Sequence, residues 1–240
     1  MCGRYTVRDP RRCLAEFSII ENPAALEPRY NIAPSQGLWV IRATEPGQPP
    51  ELCLLRWGFS RGGSATHARG TRPREIVMTR AETVMGVSRS DHGLASRRCL
   101  LIADGFYEWR RTEGRSAPYF MHRPDDAPFA MAAVWRPGSP LDGCAVITRP
   151  AHPPVDAVHH RMPAFVAPHD RAAWLDPSFT DPAELSRMLF AAPDFELVTT
   201  GVGPRVNSPT NDDVGCISPP SDAERYPEQL ALFDDQKSSS

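Results

Sequence analysis

The sequence of 240 residues lacks the long apolar stretches that membrane proteins and secreted precursors carry. No segment approaches the roughly 20 apolar residues of a membrane helix. The first residues, MCGRYTVRDP, also lack the apolar core of a secretion signal. With 41% hydrophobic and 23% charged residues, the composition is typical of one globular domain and excludes a disordered or fibrous chain. We therefore expect a cytoplasmic protein with no membrane partner.

Lysine is almost absent, and the cysteines are scattered. The six cysteines form no Cys-x-x-Cys pair, so neither a zinc site nor a disulfide framework is predicted, and we expect no metal or cofactor. The single lysine is Lys237, so the other 26 of the 27 basic residues are arginines. Arginine suits bidentate contacts to phosphate, although genome base composition explains the bias equally well. The net charge of −2 neither demands nor excludes nucleic acid as a partner.

Short strands dominate the pattern, because the 26 prolines and 16 glycines divide the chain into short elements. Strands are predicted at 38–42, 51–59, 99–110, 118–122, 129–135, 143–148, 164–167 and 195–200. Three helices are predicted at 9–17, 169–175 and 181–191, where Asp or Pro marks the start. The predicted fold class is α+β, with a mostly antiparallel, barrel-like sheet and a few short packed helices.

Two segments are predicted to lie outside the packed core. Residues 60–75 are rich in Gly and Arg, which indicates either a mobile basic loop beside a binding cleft or a solvated insertion. From residue 218 onward the chain is rich in Pro, Ser and Asp. We therefore expect one domain over 1–217 and a disordered tail over 218–240.

The amino terminus offers a nucleophile that replaces the missing lysine. Removal of Met1 leaves Cys2 with an α-amine and a thiol, whose ordinary pKa values are about 7.7–8.0 and about 8.5. Such a 1,2-aminothiol condenses with an aldehyde to an imine, and the thiol then closes a thiazolidine ring. Cys2 can instead attack an amide with its own amine as general base, or the terminus can be unremarkable.

Eight motifs occur in a fixed order, at 1–5 (MCGRY), 29–34 (RYNIAP), 55–59 (LRWGF), 79–83 (TRAET), 103–109 (ADGFYEW), 129–135 (FAMAAVW), 159–163 (HHRMP) and 206–212 (VNSPTND). Together they resemble the SRAP family, the SOS-response-associated peptidases, whose members process abasic sites in single-stranded DNA. The resemblance runs from Cys2 to about Cys216. It implies the SRAP fold, a monomer, and single-stranded DNA with abasic sites as the partner.

The resemblance also implies catalytic roles for three residues. Cys2 is expected to form the thiazolidine with the sugar aldehyde and to be linked to autocatalytic removal of Met1, a peptidase or lyase-like activity. Glu108 and His159 are expected to transfer protons, and burial in the apolar GFYEW strand would raise the pKa of Glu108 towards this task. Otherwise Glu108 would face outward from a strand edge. His160 is the competing histidine, since adjacent residues of an extended chain face opposite sides.

DNA contacts are implied for arginines in three of the motifs. Arg4, Arg80 and Arg161 resemble arginines that hold backbone phosphates. The alternative is that they pair with buried carboxylates such as Asp104 or Glu82. Asn31, Asn207 and Asp104 are interpreted as turn or network residues.

Two departures from the family pattern concern DNA binding. Met78 and Thr79 occupy positions where the family reads Asn-Ala, so the orienting hydrogen bond of the asparagine is lost. The loop after LRWGF contains no aromatic residue, and base stacking is worth roughly 1–3 kcal/mol per base. Arginines in that loop would make affinity more salt-dependent.

The tail contains an isolated apolar motif, QLALF, at 229–233. It resembles the pentapeptide with which bacterial proteins dock onto the replicative sliding clamp, and its docking residues would be Gln229, Leu230, Leu232 and Phe233. Tethering would raise the local concentration of the domain near single-stranded DNA. The alternative is a packed carboxyl-terminal helix.

Two other functions remain open from the sequence. The first alternative is a catalytically weakened SRAP paralogue that acts as a clamp-tethered DNA-binding adaptor, in which Met78 marks the loss of the chemistry. The second alternative is an amidohydrolase with an amino-terminal nucleophile, in which Met-Cys-Gly has the role it has in glutamine amidotransferases. The Arg-Gly-Pro-Asp segment and Gly-rich oxyanion loops of those enzymes are missing here.

Overall fold

The computed structural model describes residues 3–17, 26–60, 75–86, 96–112, 115–138, 140–221 and 224. Cys2, most of the predicted loop at 60–75 and the QLALF motif at 229–233 lie outside these residues. The disorder of the tail and its docking onto a clamp therefore stay predictions.

Fourteen strands lie in the described part of the chain, and they are numbered in chain order. They are β1 (Tyr5–Val7), β2 (Arg29–Ile32), β3 (Gly37–Arg42), β4 (Glu51–Trp57), β5 (Phe59–Ser60), β6 (Glu75–Ile76), β7 (Met78–Arg80), β8 (Arg98–Ala103), β9 (Gly105–Thr112), β10 (Arg115–His122), β11 (Phe129–Arg136), β12 (Gly143–Pro150), β13 (Arg161–Pro163) and β14 (Val198–Gly201). Strands β5 and β6 pair only with each other among the described elements.

The other strands form two sheets. The first has five antiparallel strands in the order β14, β10, β9, β1, β2. The second has the order β11, β8, β3, β4, β12, β13, with β7 also on β12. Because β11 pairs with both β8 and β12, five of its strands close into a ring. Only the β4–β12 and β12–β7 pairs are parallel among the described pairs. The predicted α+β class with a mostly antiparallel, barrel-like sheet is confirmed.

Four short α-helices pack on the sheets within the described residues: α1 (Pro10–Glu16), α2 (Ala81–Gly86), α3 (Arg171–Leu175) and α4 (Pro182–Phe190). Helix α4 begins as its sequence predicts, since the Asp181 carboxylate accepts from the backbone N–H groups of Ala183 and Glu184 at 2.9 and 3.3 Å. Its buried residues are Leu185, Met188 and Leu189, which form one face. No helix of the described chain combines the length and the apolar character that a membrane crossing requires.

Three of the predicted strands are placed differently by the structure. The run 99–110 is two strands rather than one, because the chain turns at Asp104. The run 51–59 breaks at Gly58, whose φ of 120° is a conformation that favours glycine. Residues 164–167 contribute one isolated bridge from Phe165 to Met131, and the strand lies instead at β13. The prediction of three helices missed α2.

Asp104, between β8 and β9, ties the start of the chain to the sheet. Its buried carboxylate accepts from the Thr6 hydroxyl at 2.5 Å and from the backbone N–H groups of Arg8 and Asp9 at 2.5 and 3.1 Å. It also pairs with the Arg8 guanidinium. These contacts fix the position of β1 in the sheet.

Candidate functional site

A cavity of about 790 Å³ lies where β1 ends beside β9. Its charged and titratable lining residues come from both sheets and from the segment before β13: Arg4, Arg80, Glu108, Arg111, Asp156, His159 and His160. The structure therefore brings together four of the residues that the sequence singled out, namely Arg4, Arg80, Glu108 and His159. The cavity also contains groups that no sequence argument identified.

Glu108 is held in the middle of β9, opposite Tyr119 of β10. On its other side the Tyr107 backbone N–H donates to the Arg4 carbonyl at 3.0 Å, so β1 covers β9 up to this point. The Glu108 side chain is 1% exposed. Burial penalises the charged carboxylate and raises its pKa from 4.5 to about 7, although a hydrogen bond from the Trp109 backbone acts in the opposite direction. The pKa of Glu108 is therefore moved towards neutral pH.

His159 faces Glu108 across the cavity wall. The segment that carries it is held by a hydrogen bond from the His159 backbone N–H to the Val155 carbonyl at 2.9 Å. Its Nδ1 lies 3.8 Å from Glu108 Oε1, beyond hydrogen-bond distance but close enough for electrostatic coupling. Burial lowers the pKa of His159 below its ordinary value, and the positive charges of His160 and Arg111 add to the effect. Its neutral form is therefore favoured relative to that of a free histidine.

The backbone of Arg161 offers His159 Nδ1 both a donor and an acceptor. Nδ1 lies 3.0 Å from the Arg161 backbone nitrogen and 3.1 Å from the Arg161 carbonyl oxygen, so either ring tautomer has a backbone partner. The His160 ring packs against the His159 ring with centroids 4.4 Å apart. The sequence predicted that the two histidines face opposite sides of an extended chain. In the structure both of them line the cavity.

The motif arginines have different surroundings. Arg80 is exposed and lines the cavity, whereas Arg4 is half-buried and donates to the Gly3 carbonyl at 2.8 Å. Arg161 is buried, and its guanidinium binds both carboxylate oxygens of Glu82, at 2.7 and 2.9 Å. For Arg161 the structure therefore shows the ion pair that the sequence left as an alternative.

Met78 and Thr79, the two positions that depart from the family pattern, lie on β7 and do not line the cavity. Met78 is half-buried and packs against the main hydrophobic core. The Thr79 carbonyl accepts from the Thr148 hydroxyl at 3.2 Å. Of this β7 segment, only Arg80 reaches the cavity.

The VNSPTND segment forms one wall through a hydrogen-bond network. The buried Asn31 amide nitrogen lies within 3.1 Å of the carbonyls of Val206, Ser208 and Asn211, to which it donates. In the cavity itself, the Asn207 side-chain oxygen accepts from the Trp109 indole N–H at 2.7 Å. Asn31, Asn207 and Asp104 thus have the network contacts that were expected of them.

Sequence reasoning missed Trp109 and Arg111 as lining residues. Both lie on β9 after Glu108, and period-two alternation places their side chains on one face of the strand and that of Glu108 on the other, so alternation did not predict one cavity for all three. The missing information was that β1 begins at Tyr5 and that its ladder with β9 reaches only Tyr107, which leaves the following residues of β9 open to the cavity. Within the described residues, no three His, Cys, Asp or Glu side chains converge as metal ligands.

The fold and the site together define an α+β protein with an arginine-lined cleft and a buried glutamate beside a histidine. A family model described as SOS response associated peptidase, SRAP, matches residues 1–209. The chain belongs to this family.

Relatives of known name and solved structures agree with this assignment. The chain is 29% identical over 235 residues to the abasic site processing protein YoaM of Bacillus subtilis, covering 94% of this chain and 100% of YoaM. It is 30% identical over 223 residues to YoqW, another abasic site processing protein of Bacillus subtilis, with 88% and 96% covered. A crystal structure of a Bacteroides thetaiotaomicron protein superposes with a TM-score of 0.71 at 18% identity, covering 92% and 100%, which shows the shared fold.

Proposed function

We propose that this protein captures abasic sites in single-stranded DNA by a covalent bond to Cys2. The observation that carries the proposal is the buried Glu108 beside His159 in a cavity that the amino-terminal segment enters. The relatives named abasic site processing proteins support the same substrate class. The proposed product is a DNA–protein cross-link that shields the sugar aldehyde.

Cys2 lies outside the described residues, but it is covalently bound to Gly3, whose carbonyl is contacted by the cavity-lining Arg4. Consecutive Cα atoms of a chain are about 3.8 Å apart, so Cys2 is one such step from Gly3. Removal of Met1, the proposed peptidase step, frees the α-amine next to the thiol. Because the only lysine is Lys237, this amine is the nitrogen nucleophile that the proposal uses.

The chemistry needs proton transfers at three points. The closed sugar opens when its hydroxyl loses a proton and its ring oxygen gains one, which produces the aldehyde. The amine adds to this carbon, and the carbinolamine loses water to give the imine. The thiol then adds to the imine carbon and its proton passes to the nitrogen, which closes the thiazolidine. The overall change is aldehyde plus aminothiol to thiazolidine plus one water.

Glu108 and His159 are suited to different parts of this sequence. With a pKa of about 7, Glu108 can donate a proton to the leaving hydroxyl and accept one from the amine or thiol at the same pH. His159, whose pKa is lowered by burial, can exchange a proton with a sugar oxygen through its ring. Arg80 and Arg4 line the same cavity and would attract the phosphate backbone.

A denaturing gel with an oligonucleotide that carries one abasic site tests the proposal. We expect a shifted covalent band with the wild-type protein and none with Cys2→Ala. A variant of another cysteine, Cys53→Ala, is the matched control, since the half-buried Cys53 does not line the cavity. A band of equal intensity in Cys2→Ala would refute the role of Cys2. Specific binding without any band would favour the adaptor.

A further inference from the structure

The proposed substrate carries two phosphates around the reacting sugar, one on its 5′ side and one on its 3′ side. A sugar held beside Glu108 and His159 therefore brings a negative charge to each side of the cavity. Arg80 accounts for one of them from the end of β7, in the second sheet. The question is which group binds the other phosphate.

The remaining motif arginines are poorly suited to that second phosphate. Arg161 is already bound to both carboxylate oxygens of Glu82, and its guanidinium also donates to the Thr148 carbonyl at 2.5 Å. Taking it from Glu82 would leave a nearly buried cation without its counter-ion. Arg4 is half-buried, its pKa is lowered by burial, and it already donates to the Gly3 carbonyl.

Arg111 meets the requirement from the opposite wall. It lies near the carboxyl end of β9 in the first sheet, is exposed and lines the cavity. Unlike Arg161, it forms no ion pair with any residue that the structure describes. Ser116 of β10 is directly opposite in the strand register and also lines the cavity, so both side chains project to the same face. A guanidinium and a hydroxyl side by side are typical donors to a phosphate oxygen.

The charges around Arg111 favour an anion there. The cavity wall also contains Arg4 and Arg80, against the exposed Asp156 and against Glu108, whose pKa is raised by burial. Arg111 is close enough to His159 to lower the pKa of that histidine. A phosphodiester is thus attracted to the wall on which Arg111 stands, next to the reacting groups.

We propose that Arg111, with Ser116, binds the phosphodiester on one side of the lesion sugar, while Arg80 binds the phosphodiester on the other side. This inference rests on the proposed function, since it assumes that the sugar lies between Glu108 and His159. It assigns the substrate a fixed path, from the β7 wall across the acid–base pair to the β9–β10 hairpin.

Binding to an oligonucleotide with a tetrahydrofuran abasic analogue tests the inference, because this analogue has no aldehyde and cannot form the cross-link. We expect Arg111→Gln to weaken binding about fivefold and to reduce the slope of log affinity against log salt by about 0.7, the value for one phosphate contact on a single strand. Arg111→Lys should keep the slope. Arg110→Gln is the matched control, since Arg110 is the adjacent arginine of β9 and does not line the cavity. Equal thermal stability of the two glutamine variants excludes a folding defect.

Neutral methylphosphonates, placed singly on either side of the analogue, identify the phosphate. We expect one of them to weaken wild-type binding as much as Arg111→Gln does and to have no further effect on that variant. The other should show the same coupling with Arg80→Gln. The inference is wrong if the affinity of Arg111→Gln for the analogue stays within twofold of that of Arg110→Gln. It is also wrong if the loss of affinity in Arg111→Gln adds fully to the loss caused by each of the two methylphosphonates.

The covalent assay separates this inference from the function on which it rests. If a Cys2-dependent band forms but Arg111→Gln binds the analogue as wild type does, the inference alone is overturned. Arg111-dependent and phosphate-coupled binding without any covalent band overturns the cross-linking function alone. Absence of wild-type binding to the analogue at low salt refutes the binding path altogether.

Discussion

Replacement of Glu108 by glutamine should stabilise the fold at alkaline pH while slowing the chemistry. The carboxyl group is 1% exposed, and burial raises its pKa from 4.5 to about 7. Between these two values the unfolded chain has released the proton and the native chain still holds it. Native stability therefore falls as pH rises through this window, and the full penalty is present above the native pKa.

The size of the effect follows from the two pKa values. The penalty is about 0.8 kcal/mol at pH 5 and about 3.3 kcal/mol at pH 8, so wild-type stability should lose about 2.5 kcal/mol between these pH values through this one group. Glutamine has nearly the same shape and no proton to lose. Any cost of fitting its amide into the site is the same at both pH values, and the difference between them isolates the ionisation of Glu108.

Urea unfolding of wild type and Glu108→Gln at pH 5 and pH 8 measures this difference. The variant should gain about 2.5 kcal/mol relative to wild type on going from pH 5 to pH 8, and its cross-linking rate should fall by about 100-fold. A relative stability that does not change with pH would refute the raised pKa. An unchanged cross-linking rate would remove Glu108 from the proton transfers.

Two further changes test the contacts that build the cavity walls. Glu82→Ala should lower the free energy of unfolding by about 2 kcal/mol, because it leaves the Arg161 guanidinium without its carboxylate, and the Arg161 side chain is only 8% exposed. An unchanged urea midpoint would contradict this. Asn31→Ala should cost about 2–3 kcal/mol and speed amide hydrogen exchange in residues 206–211, because three carbonyls lose their donor. If amide hydrogen exchange in residues 206–211 stays at the wild-type rate, other contacts hold this segment.

Local sequence rules predicted those parts of the fold whose signals are local. The Asp-Pro starts predicted α1 and α4 to within a residue or two, and their structures contain the expected caps. The short strands β1 and β7 were missed, because three residues carry too little alternation and pair only through contacts distant in sequence. The break at Asp104 was missed for a similar reason. Its carboxylate is satisfied by Thr6, Arg8 and Asp9, which an apolar run around it does not reveal.

The candidate site divides in the same way. Its motif residues Glu108, His159, Arg4 and Arg80 were named because the order of the motifs resembles a family, and the folded chain brings them to one cavity. Charge alone did not distinguish Arg80 from Arg161, since both are arginines within motifs that resemble the family. What separates them is Glu82, which is two residues from Arg80 in sequence but pairs with Arg161 in space.

The shortness of β1 determines how Glu108 meets the cavity. β1 pairs with β9 at Gly105 and Phe106, and the last bond of this ladder joins Arg4 to Tyr107, immediately before Glu108. One more residue pair would place a strand along Glu108 and separate it from the cavity. The strand therefore covers β9 up to Tyr107 and leaves the next residue, the buried Glu108, among the residues that line the cavity. A single antiparallel pairing thus contributes to the burial that raises the pKa of Glu108 and still leaves its carboxyl group in the cavity wall.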